Sequence, residues 1–89
     1  MRVLIVEDEK HARIHLERQL LELEPEIQIQ AKLDTVAATV SWLKENNTDL
    51  IFLDIHLADD LSFKIFEHVE VRPPVIFTTA YDQYALRAF

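Results

Sequence analysis

Residues 50–54 read Leu-Ile-Phe-Leu-Asp, and this stretch decides the fold. Four apolar residues in a row, flanked by polar ones, suit a strand covered on both faces, which is the habit of parallel sheets. The strand ends in a carboxylate, Asp54, and two more acids follow at Asp59 and Asp60. An acid placed where a buried strand stops is costly for folding unless it turns the chain or serves chemistry.

Working outward, Arg2–Val6 (RVLIV) is a second apolar run of the same kind. Leu16, Leu20 and Leu23, with Ala12 one turn earlier, mark one face of a helix that Pro25 ends. Ile27–Leu33 (IQIQAKL) alternates apolar and polar residues, as a half-exposed edge strand does. Asp34 or Thr35 suits the cap of the next helix, whose stripe is Val36, Val40 and Leu43. Beyond LIFLD, Leu61, Ile65 and Val69 predict a short helix stopped by Arg72-Pro73-Pro74. Residues 75–79 (VIFTT) read as a fourth strand, and Tyr81, Tyr84, Ala85 and Ala88 as one side of a helix still running at Phe89. Strand and helix alternate four times, which predicts βαβ units and an α/β fold with a parallel sheet.

Composition narrows the function. A chain of 89 residues is one domain by default, and 49% apolar with 28% charged residues is ordinary for a globular one. The absence of glycine excludes glycine-rich phosphate loops and dinucleotide fingerprints. The absence of cysteine excludes disulfides, thiol chemistry and cysteine zinc sites. A formal net charge of −7 argues against nucleic acid binding by this chain itself. No apolar run approaches a membrane span, and the N-terminal VLIV is too short for a signal peptide, so a cytoplasmic location is expected.

Ligands of open parallel sheets bind outside the carboxyl ends of the strands. Strand one ends in Glu7-Asp8 and strand three in Asp54. If these strands are neighbours, three carboxylates meet in one cleft and stay ionised cheaply only around a cation. Hard oxygen ligands suit Mg²⁺. A carboxylate beside such a metal can attack phosphorus and become an aspartyl phosphate. A hydroxyl from Thr78-Thr79-Ala80 at the end of strand four could bond the phosphoryl oxygens. For Asp54 alone a turn and a reactive role are evenly balanced; with Glu7-Asp8 and TTA in this order, chemistry is favoured.

These motifs resemble those of the receiver domain of two-component response regulators, most closely the LytTR type. VLIVEDE resembles the acidic pair after the family's first strand, DLIFLDIHL its phosphoacceptor strand, and PVIFTTAYDQYALRAF its fourth strand and the start of its fourth helix. The resemblance spans residues 1–89. It implies a flavodoxin-like, doubly wound parallel sheet with helices on both faces and strands ordered 2-1-3-4 here. It further implies that Asp54 accepts a phosphoryl group from a sensor histidine kinase. Glu7, Asp8, Asp54 and the backbone carbonyl of His56 would hold Mg²⁺, and Thr79 would be the switch hydroxyl. Control of a DNA-binding output domain, absent from these 89 residues, is implied as well.

The sequence departs from the family pattern in two places. Where the family has Pro-Gly and a later Gly, this chain has Ala58, Asp59 and Ser62. Asp59 and Asp60 either tune cation and anion binding electrostatically or form a solvated turn with helix-capping acids, and the second reading is favoured. The family's fifth strand, with its lysine, and fifth helix have no counterpart here. Strand four is then an expected edge, so a homo-oligomer through strand four or helix four is predicted. The runner-up function is a non-phosphorylated interaction module of the same fold. An Asp-nucleophile phosphatase of the haloacid dehalogenase kind is disfavoured, because the position two after Asp54 is His56 rather than a second Asp. His11 and His15 read as a solvated pair, and Trp42 as packing.

Overall fold

The computed structural model describes residues 1–78. It contains β1 (Arg2–Val6), α1 (Lys10–Leu23), β2 (Gln28–Leu33), α2 (Val36–Glu45), β3 (Leu50–Leu53), α3 (Ile65–His68) and β4 (Val75–Phe77). A single 3₁₀ turn, Ser62–Lys64, leads into α3. The four strands form one parallel sheet in the order β2-β1-β3-β4. This is the order that the family resemblance implies. The helix expected from Tyr81 onward lies outside the described residues.

Alternation along β1 and β3 builds two cores. Leu4 and Val6 of β1, with Ile51 and Leu53 of β3, join Val36, Leu57 and Ile65 on the face that carries α2 and α3. Val3 and Ile5 join Leu20 of α1 on the other face, with Leu16, Ile27, Ile29, Leu50 and Phe52 packed around them. Val3, Leu4, Ile5 and Val6 are all 0% exposed. Each such side chain contributes roughly 1.5–3 kcal/mol by leaving water, so β1 is the axis of the domain. β2 alternates exposed and half-buried residues, as its sequence requires of an edge. Its register on β1 shifts between Val3 and Leu4, leaving Gln30 as the extra residue.

Helix boundaries follow local chemistry. α1 starts at Lys10 because the Glu9 side chain accepts hydrogen bonds from the amides of His11 and Ala12. Thr35 rather than Asp34 caps α2, its hydroxyl oxygen accepting from the Ala38 amide at 3.0 Å. Two expectations are corrected. Leu23 was expected on the buried stripe of α1 but, as the last residue of the helix, is 80% exposed. The helix expected to start at Leu61 opens as a 3₁₀ turn and becomes α-helical only at Ile65.

Ser62, at a position where the resembled family has glycine, is completely buried with no hydrogen-bond partner for its hydroxyl among the described residues. A buried, unpaired polar group costs about 1–3 kcal/mol.

Candidate functional site

The carboxyl ends of three strands are level. Val6 pairs with Leu53, and Leu53 with Phe77. One residue further on, the Asp54 amide donates to Val6 O at 2.9 Å and the Thr78 amide to Leu53 O at 3.1 Å. Glu7, Asp54 and Thr78 therefore leave adjacent strands at one height. They line a common cleft of about 340 Å³, whose remaining wall is the α1 face formed by Ala12, His15, Leu16 and Gln19.

The acidic run Glu7-Asp8-Glu9 divides into three roles. Glu9 caps α1, and the amides of Ala12 and His11 hold its carboxyl below the usual carboxylate range. Asp8 is exposed. Glu7 is 7% exposed, with its amide bonded to Leu33 O at 2.8 Å and its carbonyl accepting from the Arg13 guanidinium at 2.8 Å. Its carboxyl is pushed up to about 8, first by burial, then by a hydrogen bond to the Asp54 side chain and by the charges of Asp54, Asp8 and Glu9. Glu7 thus holds a proton at neutral pH.

Asp54 in turn accepts the Ile55 amide on Oδ1 at 2.8 Å. One carboxylate oxygen from each of Glu7, Asp8 and Asp54 lies within 4.8 Å of the other two. The second oxygen of Glu7, Oε2, is buried with no hydrogen-bond partner among the described residues. An orphaned buried carboxylate oxygen inside a cluster of hard oxygen donors fits a small divalent cation such as Mg²⁺.

The family model for the response regulator receiver domain matches residues 3–89. The chain belongs to the response regulator receiver domain family. It is 44% identical to the sensory transduction protein LytT of Enterococcus faecalis and 42% identical to that of Bacillus anthracis, each over 92 residues. Those alignments take in 100% of this chain but only 38% and 37% of the two relatives. The response regulatory domain of MrkE from Klebsiella pneumoniae superposes with a TM-score of 0.78 at 32% identity, covering 100% of this chain and 75% of that one. Receiver domains are regulators that generally bind Mg²⁺ at an acidic cluster, and Glu7, Asp8 and Asp54 are an acidic group that could hold a metal ion.

The structure thus brings together Glu7, Asp8 and Asp54, and it places His56 in the loop that follows β3. Thr79, read from the sequence as the switch hydroxyl, lies outside the described residues. Thr78, its neighbour, is the described hydroxyl that lines this receiver's cleft. Thr78 was among the strand-four hydroxyls the sequence offered; reading His15 and Gln19 as cleft residues was also within its reach, since Ala12, His15, Leu16 and Gln19 follow the i, i+3, i+4, i+7 spacing of one helix face. No helix among the described residues is long and apolar enough to cross a membrane.

Proposed function

We propose that this receiver works in the cytoplasm, takes a phosphoryl group onto Asp54 from a histidine kinase and so controls a DNA-binding output domain. The observation that carries this reading is the hydrogen-bonded Glu7–Asp54 pair, with Asp8 in reach, at the carboxyl ends of neighbouring β1 and β3. A carboxylate oxygen of Asp54 attacks phosphorus, the bond from phosphorus to the donor nitrogen breaks, and the departing imidazole keeps the electron pair and takes up a proton. The chain catalyses no more than its own phosphorylation and dephosphorylation.

Glu7, Asp8, Asp54 and the His56 carbonyl would hold Mg²⁺, which supplies positive charge to the transferring group. Glu7 must release its proton before it can serve as an anionic ligand. The Ile55 amide orients the Asp54 carboxylate. Thr78 lines the cleft, and Thr79 would serve as the switch hydroxyl. Beryllofluoride, a tetrahedral mimic of the phosphoryl group, tests the pocket directly. Bound ¹⁹F signals are expected with Mg²⁺ present, and none without it or in Asp54→Ala. Signals that persist in Asp54→Ala would refute Asp54 as the acceptor.

One observation favours a second reading, an interaction module that self-associates. Among the described residues no strand pairs with the outer side of β4, and Ile76 and Phe77 on it are 46% and 44% exposed. Such an edge recruits a partner strand. Helix four, the alternative contact, lies outside the described residues. Sedimentation velocity at micromolar concentration is expected to show a dimer or larger species, which Phe77→Lys reduces. A monomer at every concentration rejects the association.

A further inference from the structure

We propose that Asp59 is a positioning residue for the metal centre: its carboxylate clasps the first two amides of α2 and so fixes the loop that carries the His56 carbonyl beside Asp54. This rests on the proposed metal role of the acidic cluster and goes beyond it. Asp59 Oδ1 accepts the Val36 amide at 2.7 Å, and Oδ2 accepts the Ala37 amide at 3.1 Å. These bonds span 23 and 22 residues, so they are tertiary links rather than a local turn. Thr35 takes the third amide, Ala38, and the first turn of α2 is then fully satisfied.

The clasp belongs to a continuous backbone connection between the two acid-bearing loops. The Glu7 amide donates to Leu33 O at 2.8 Å, and the Ala58 amide donates to Asp34 O at 3.1 Å. With Asp59 on Val36 and Ala37, the segment 33–37 grips the loop after β1 on one side and the loop after β3 on the other. The loop after β3 is also closed upon itself. Leu57 N donates to Asp60 O at 3.0 Å, Ser62 N to Ile55 O at 2.8 Å, and Leu61 N to the Asp60 side chain at 2.7 Å. His56 and Leu61 pair as an isolated bridge. A loop that holds its own shape moves as one piece, so the links that tie it to segment 33–37 set where the His56 carbonyl sits relative to Glu7 and Asp54.

Burial raises the Asp59 carboxyl, but the amides of Val36, Ala37, Asp59 and Asp60 outweigh it and keep the group below the usual range. The clasp is therefore anionic at neutral pH, and two amides at a helix N-terminus suit an anion. Asp59 thus bears out the reading of a capping acid, the helix it caps being the preceding α2, while Asp60 accepts the Leu61 amide within the turn.

A plain helix cap and a positioning residue are separated by comparing Asp59→Ala, Asp59→Asn and Thr35→Ala. Thr35→Ala removes a cap from the same helix without touching the loop. Mg²⁺ affinity is measured by titration calorimetry of the metal-free chain, and folding by thermal melts of each variant. Both alanine variants are expected to melt earlier. Only Asp59→Ala is expected to weaken Mg²⁺ binding, by about tenfold, as loss of an outer-shell partner does. Asp59→Asn, which keeps one acceptor oxygen, is expected to fall in between, and it supplies the comparison if Asp59→Ala does not fold. Unchanged Mg²⁺ affinity in a folded Asp59 variant overturns the inference and leaves the metal reading standing, as does an equal loss in Thr35→Ala. A wild-type chain that takes up no Mg²⁺ overturns the metal reading and the inference together.

Discussion

Replacing Glu7 with glutamine is expected to remove most of the decline in stability that the metal-free protein shows between mildly acidic and mildly alkaline pH. The folded carboxyl is raised to about 8, against an ordinary value of 4.5, by burial first and then by its bond to Asp54 and the charges around it. Between these two values the unfolded chain has lost the proton and the folded chain still holds it. Unfolding then releases a proton, so stability falls as pH rises across this window and levels off above it. Below the lower value both states are protonated and Glu7 contributes no slope. The amide in Glu7→Gln keeps the shape and cannot titrate, so the variant should be flat where the wild type declines and more stable than it near pH 8. Urea unfolding at intervals across this window, with metal chelated, reads the difference. A wild type whose stability is level over that range would contradict the assignment.

The same proton couples to the metal. An ionised carboxylate is the better ligand, so Mg²⁺ uptake below about pH 8 should release a proton and tighten as pH rises. Proton release is read from calorimetry in buffers of different ionisation enthalpy. Glu9, Asp49 and Asp59 act in the opposite direction. Their carboxyls lie below the usual range, Glu9 through the amides of Ala12 and His11, Asp49 through Arg2, and Asp59 through the α2 amides that outweigh its burial. The stability they contribute is present above their unfolded values and is lost as pH falls through their folded ones. The metal-free protein is thus expected to be most stable in the mildly acidic range.

The architecture was legible because β1 and β3 carry their own evidence. Both are continuous apolar runs, and burial on both faces is what such runs require. The strand order followed from the resemblance, and with it the meeting of Glu7, Asp8 and Asp54. The details that escaped depend on bonds the sequence does not display. The Asp59 clasp joins a side chain to amides 22 and 23 residues away, and no local pattern marks an amide as an acceptor's partner. Glu9 was not anticipated as a cap because cap preference favours shorter side chains. Leu23 fits the helical period, yet it is the last residue of α1 and is exposed. Thr78 lines the described cleft, while Thr79, the hydroxyl the resemblance selected, lies outside the described residues.

Loss of Asp54 is expected to have the largest effect of all, because no neighbouring group can replace it. Glu7 is buried and, with Mg²⁺ bound, would be taken up as a ligand, and Asp8 is exposed. Asp54 is also the acid whose carboxylate is oriented by the next residue's amide and whose own amide is locked to Val6 O. Orientation of that kind is what lets a weak nucleophile compete with water. Without it the chain should retain its fold, since Asp54 is half-buried at a strand end rather than part of either core.

The most direct measurement is the intact mass of the chain after incubation with Mg²⁺ and a small phosphodonor, alongside Asp54→Ala treated identically. A single phosphate adduct is expected on the wild type, labile to hydroxylamine as an acyl phosphate is, and none on the variant or without Mg²⁺. An adduct that survives in Asp54→Ala, or a folded, Mg²⁺-loaded wild type that remains unmodified, would contradict this expectation.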